Sequence, residues 1–166
     1  MAAEITRIDG APGNSLVFMR FRPAWVYIDG IREFGRFFCQ TTFQDAEVAE
    51  RARVVIQEAL ENAVKYSTPG PNAELELSIA TRGSHLEISV CSLPAPDHVQ
   101  SLRDEIERIN GTDPEQAYLS AFERAAETPD GPARLGLARI RYEGNAELHL
   151  EEEQDGRIRL TASGAL

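Results

Sequence analysis

The sequence predicts an α+β domain, a two-layer sandwich with helices packed on one face of a mostly antiparallel, mixed sheet. Three observations predict it. Leu75, Leu77 and Ile79 alternate with polar residues, as do Leu86, Ile88 and Val90, and Arg82-Gly83-Ser84 between the two runs makes them a hairpin. Residues 44–66 contain neither Gly nor Pro and repeat apolar side chains at helical spacing. Strand-like runs open and close the chain while helical runs fill most of the middle, and such segregation lays helices against one face of a sheet.

Taken in order, residues 4–9 and 15–22 read as strands separated by the turn-rich Gly10-Ala11-Pro12-Gly13-Asn14. Leu16, Phe18 or Met19, and Phe21 do not alternate cleanly, so the register of the second strand stays open. Pro23 opens a helix, where proline is tolerated. Trp25, Ile28, Ile31, Phe34 or Gly35, and Phe38 recur at helical spacing to about residue 39, and core packing is the expected role of this aromatic stripe. Trp25, Phe34, Phe37 and Phe38 are nevertheless more than one helix face easily buries. An exposed remnant would mark a homodimer or partner surface; the alternative is full burial against the sheet.

The helix from Gln44 to Tyr66 has Asp45 as its cap and Val48, Ala52, Val55, Ile56, Ala59 and Ala63 on one face. Ser67-Thr68-Pro69-Gly70-Pro71 stops it. The hairpin strands Ala73–Thr81 and His85–Ser92 follow. Residues 97–110 and 113–127 read as two helices, the second started by Asp113-Pro114, and they form a lid-like insert over about 95–132. Thr128-Pro129-Asp130-Gly131-Pro132 reads as a loop and Leu135–Tyr142 as a short helix. Residues 145–152 and 157–162 form a closing hairpin turned at Gln154-Asp155-Gly156.

At 166 residues the chain fits a single domain, 1–166, with a real core. The net charge of −10 argues against nucleic acid and against anionic membrane surfaces, both of which need a basic footprint. Arg20, Arg22, Arg32 and Arg36 are close in sequence, but a modest basic face on an acidic protein is usually solvated surface. The segment Met1–Arg7 has no apolar run of signal-peptide length, and no run approaches a membrane span. Cys39 and Cys91 are far apart, without metal or redox spacing, and read as buried reduced thiols. A cytoplasmic protein is the expectation.

One segment carries chemistry: Gln57-Glu58-Ala59-Leu60-Glu61-Asn62-Ala63-Val64-Lys65-Tyr66. At about 100° per residue, Glu58, Asn62 and Lys65 fall within a sector of roughly 60° bordering the apolar face, while Glu61 points elsewhere. A carboxylate there can orient an attacking hydroxyl or water, a carboxamide oxygen can coordinate Mg²⁺, and an ammonium can offset phosphate charge. The plain alternative is an amphipathic helix with charges flanking its core stripe.

Glu-Ala-Leu-Glu-Asn-Ala-Val-Lys-Tyr resembles the asparagine-containing helix motif of the gyrase and histidine-kinase ATPase (GHKL) superfamily. More narrowly, it resembles bacterial anti-sigma-factor serine kinases and small partner-switching kinase-like proteins. The preceding helix, the hairpin directly after the motif and Arg134-Leu135-Gly136-Leu137-Ala138 follow in the same order. The resemblance implies the histidine-kinase-type ATPase fold and Mg²⁺-ATP as cofactor. It makes Asn62 the metal ligand, Glu58 the catalytic base or water-orienting group, and Lys65 a phosphate contact. Gly136, with Leu135 and Leu137, would belong to a glycine-rich turn at a helix start, where backbone N–H groups receive phosphate.

The chain departs from that pattern twice. Where the family places an aspartate and glycines after the strand His85–Val90, this chain has Cys91-Ser92-Leu93-Pro94-Ala95-Pro96, and Ser92 offers adenine no charge-assisted hydrogen bond. Gly131-Pro132-Ala133-Arg134-Leu135-Gly136 keeps the outer glycines but carries Arg134 at the central one, where a side chain restricts φ or instead adds a cation. The reading is therefore a partner-switch regulator that acts by binding another protein, an antagonist-type signalling domain or a transcription factor. Its ATP use is weakened or lost, with no cofactor if the site is degenerate. The alternatives are an active Mg²⁺-ATP-dependent serine/threonine kinase and a generic α+β domain whose Asn helix is coincidence.

Overall fold

A computed structural model describes residues 15–127 and 131–166. The expected strand at 4–9, the turn at 10–14 and residues 128–130 of the expected loop lie outside the described residues. The elements are β1 (Ser15–Phe21), a 3₁₀ turn (Trp25–Tyr27), α1 (Ile28–Phe43), α2 (Ala46–Tyr66), β2 (Leu75–Arg82) and β3 (His85–Ser92). Then come α3 (Pro96–Asn110), α4 (Pro114–Glu127), α5 (Gly131–Tyr142), β4 (Glu147–Glu152) and β5 (Ile158–Ala165).

The strands form one sheet in the order β1-β2-β3-β5-β4. Every pairing among the described strands is antiparallel, as expected of a mostly antiparallel sheet, and no parallel pair occurs among them. Its register sorts the side chains. Met19, Leu77, Val90, Leu160 and Leu150 form one row across all five strands, and Val17, Ile79, Ile88, Ala162 and Leu148 form the next. Because side chains alternate along a strand, these rows share one face, which packs under the helices as the core. The opposite face carries polar rows such as Arg20, Glu76, Cys91, Arg159 and Glu151. Buried Glu76 is held there by Arg20 and Arg157, each at 2.9 Å.

Asp45 caps α2 as expected, accepting from the N–H groups of Glu47 at 2.8 Å and Val48 at 3.1 Å. Gln44 turns the chain from α1 into α2 with a left-handed backbone, φ 54°. The two helices then lie close because residue 35 has no side chain: a Cβ on Gly35 would fall 2.2 Å from Cδ1 of fully buried Ile56. The β2–β3 turn uses Gly83 at φ +59°. At β4, the Asn110 carboxamide stands in for a missing strand, donating to the Leu148 carbonyl at 2.6 Å and accepting from its N–H at 3.3 Å.

Some boundaries move. Pro23 does not open α1: Ala24 is extended, a 3₁₀ turn follows, and the helix begins at Ile28 and runs on to Phe43. α5 starts at Gly131, inside the expected loop. The aromatic stripe is only partly core. Ile28 and Cys39 are buried and Ile31 and Phe38 pack on the core, whereas Trp25, Phe34 and Phe37 are exposed. Both cysteines are free and buried, and burial pushes the Cys39 thiol up to about 11. Among the described residues, no helix is long and apolar enough to cross a membrane.

Candidate functional site

Glu58, Asn62 and Lys65 lie along α2 in order of increasing exposure: Glu58 is buried, Asn62 half-buried and Lys65 exposed. Seven residues of helix separate the first from the last by about 10 Å. Glu61 points away, as its spacing predicts, and accepts from the Gln57 amide at 3.0 Å.

Glu58 meets α5. Its Oε1 accepts from Nη1 of Arg139 at 2.5 Å, and Arg139 also donates twice to Glu143, at 3.0 Å from both Nε and Nη2. The other carboxylate oxygen lies against Gly136, where an added Cβ would come within 2.7 Å of it. The two helices touch because residue 136 is glycine, and the buried carboxylate is matched by a half-buried guanidinium. Burial raises the Glu58 pKa above its ordinary value; Arg139 opposes that rise, and Glu61 and Glu143 add to it. Glu143 is held below the ordinary range chiefly by its hydrogen bond to Arg139.

Gly136 does not sit at a helix start. It is the sixth residue of α5, past the first four N–H groups that a helix leaves free for an anion. Leu135 and Leu137 belong to the same helix, Leu137 buried in the core. Arg134 is in the first turn of α5, and its side chain lies outside the described ones.

Ser92 is buried at the end of β3, opposite Ile158 of β5. By strand parity with Val90 it faces the helical layer. The chain after it is pinned to the end of α2: Thr68 N–H donates to the Leu93 carbonyl at 2.8 Å, Ala95 N–H to Tyr66 at 3.0 Å, and the Thr68 hydroxyl to Pro94 at 3.1 Å. This pinning brings His98 of α3 flat onto Tyr66, with centroids 3.7 Å apart, while the Lys65 ammonium lies 5.2 Å from the same ring. Nε2 of His98 is buried without a hydrogen-bond partner among the described residues, and burial lowers the His98 pKa.

The predicted residues thus divide. Glu58 and Gly136 are brought together, Lys65 belongs to a Tyr66–His98 stack farther along α2, and Asn62 between them makes no side-chain hydrogen bond to a described residue. Two cavities lie away from these residues. One of about 520 Å³ is lined by the 68–74 loop with Arg20, Glu76 and Arg157, and one of about 480 Å³ lies between β1 and the start of α1. Sequence reasoning missed Arg139 and His98. The only local trace of Arg139 is its four-residue spacing to Glu143, a common helix-surface pair.

No protein-family model matches the chain, and no curated protein does. Among solved structures, it is similar to a chain in the crystal structure of the SiaB-SiaC complex from Pseudomonas aeruginosa. The match has a TM-score of 0.69 at 20% identity and covers 92% of this chain and 91% of that one. The two share a fold over nearly their whole lengths.

Proposed function

We propose that the chain is a signalling regulator of partner-switch type, built on the histidine-kinase-type ATPase fold, that works by binding another protein and has lost most of its use of ATP. The observation that carries this reading is the Glu58–Arg139–Gly136 contact. A general base needs a free lone pair within reach of the proton it takes. One Glu58 oxygen is bonded to Arg139 and the other is packed on Gly136. The phosphate side fares no better, because Gly136 lies inside a continuous helix and its N–H is spent on the helical ladder. Cys91 and Ser92 bring no carboxylate to an adenine, and the residues present do not fit Mg²⁺-ATP in this arrangement. Likeness in fold to a chain crystallised within a two-protein complex supports the binding role. The partner fits an antagonist-type signalling domain or a transcription factor.

Calorimetry with Mg²⁺-ATP and Mg²⁺-ADP on the wild type and on Asn62→Ala tests the reading. We expect binding weaker than millimolar in both proteins. Tight binding that Asn62→Ala abolishes would overturn it in favour of a serine/threonine kinase, the reading favoured by an Asn62 carboxamide with no described partner. That kinase requires Arg139 to leave Glu58. Labelled phosphate transferred from ATP to a co-encoded candidate protein would reveal it.

A further inference from the structure

The outer face of α4 carries apolar side chains that nothing among the described residues covers, beside carboxylates that nothing among them neutralises. Ala117 and Ala121 are fully buried and seat the helix, while Phe122 is 58% exposed and Leu119 53%. At about 100° per residue, Phe122, Ala126 and Leu119 fall in one sector of roughly 60°. Glu123 and Glu127 run along one border of that sector, and Glu115 stands at its first turn. On the other border Tyr118 stacks on Tyr142 of α5, with ring centroids 5.3 Å apart. Tyr142 is itself exposed, so the apolar strip continues across two helices.

The charges here differ from those on α1. Asp29, Arg32, Glu33 and Arg36 are paired with one another within α1. Glu115, Glu123 and Glu127 form no ion pair and no side-chain hydrogen bond with a described residue. The single cation of α4, Arg124, lies on the far side of the helix and reaches buried Glu105 at 3.3 Å. Glu123 and Glu127 are like charges four residues apart at the negative end of the helix dipole, and both placements work against the helix. A cation brought from outside relieves both.

We propose that this strip docks a cationic amphipathic helix of a partner protein. Its apolar side chains would lie on Phe122 and Leu119, and its Lys or Arg side chains against Glu123 and Glu127. Unpaired charges of one sign beside an apolar strip select this occupant. A second copy brings the same carboxylates on a chain of net charge −10 and is repelled here, as are nucleic acid and anionic lipid. The inference rests on the reading of the chain as a protein-binding regulator, and not on its loss of ATP use.

The probe is a fluorescently labelled peptide of leucine and lysine, about 14 residues or four helical turns long, with its leucines on one helix face. An isomer with the same residues in strict alternation has equal charge and no apolar helix face. Fluorescence anisotropy at low salt should show the amphipathic peptide binding at micromolar concentration, and the isomer about tenfold more weakly. Phe122→Ser should weaken binding about tenfold, and Glu123→Gln with Glu127→Gln about threefold. Added salt should weaken the wild type more than that doubly neutral variant. Two controls remove an equally exposed ring and an equal charge elsewhere: Phe37→Ser on α1, and Glu147→Gln with Glu151→Gln on β4. Both should leave binding unchanged. Helical circular dichroism checks the fold of each variant, and if Phe122→Ser loses helix the α4 charge pair carries the test. The proposal is overturned if the amphipathic peptide does not bind, if the isomer binds equally well, or if the β4 pair costs as much as the α4 pair. Tight Mg²⁺-ATP binding by calorimetry counts instead against the loss of ATP use and leaves this docking face standing.

Discussion

The α2–α5 contact and the outer face of α1 are made of opposite materials in opposite circumstances. At α2–α5 a carboxylate and a guanidinium, groups that do chemistry in water, are packed against a glycine and used up on each other. On α1, rings that belong in a core stand in solvent. The contrast shows that residue type tells which groups a chain owns, and burial and pairing tell which remain free to act. Here the Glu58 carboxylate is paired inside, and the rings of α1 have nothing among the described residues to cover them.

The contrast is tested most severely at Arg139. Arg139→Ala leaves Glu58 buried without its cation, and removing one partner of such a pair costs about 3 kcal/mol, read by urea unfolding at pH 8. The pH dependence has a definite sign. The folded pKa of Glu58 lies above the unfolded one, so between them the native state holds more protons and stability rises as pH falls. The deficit of Arg139→Ala should therefore shrink as pH drops through the raised Glu58 pKa. A loss that is independent of pH would mean that the ion pair is not its cause.

Two glycines inside helices give a paired test. Gly136→Ala drives a methyl into the Glu58 carboxylate, and overpacking of about 1–3 kcal/mol outweighs a helix-propensity gain of about 1 kcal/mol. A net loss near 1 kcal/mol is expected. Gly30→Ala meets open space, so it should stabilise the fold by about 0.5–1 kcal/mol. Equal effects at the two positions would erase the distinction between the closed contact and the open face.

Glu58→Gln keeps the shape and removes the buried charge. It should change stability by less than about 1 kcal/mol at pH 7 and flatten the acid-side profile, because a buried pair is worth little against a neutral substitute. Smallest of all, Phe37→Ser should alter stability by no more than about 0.5 kcal/mol, since its ring is already in water.

What the sequence made legible follows from distance along the chain. The hairpin was readable because Gly83 and two alternating runs lie within 18 residues of one another. The start and stop of α2 were readable because Asp45 caps two residues and three residues ahead, and because prolines follow the end. The start of α1 was misread because Pro23 suits a first helical turn, yet Ala24 takes an extended conformation and delays the helix. The split in the candidate site was not readable at all. Arg139 lies 81 residues from Glu58, and only the packing of α5 on α2 decides that they pair. The family resemblance put Gly136 in a glycine-rich turn at a helix start; it lies inside α5, where it leaves room for a carboxylate.

Gly35 joins the two contrasted regions mechanically. With Ile56 seated in the space that a side chain at 35 would fill, α1 cannot slide along α2 without lifting a fully buried residue from its socket. The helix pair is a stiff strut, and Glu58 stands two residues beyond that socket. The seating of Ile56 thus fixes where along α1 the helix that carries Glu58 must lie.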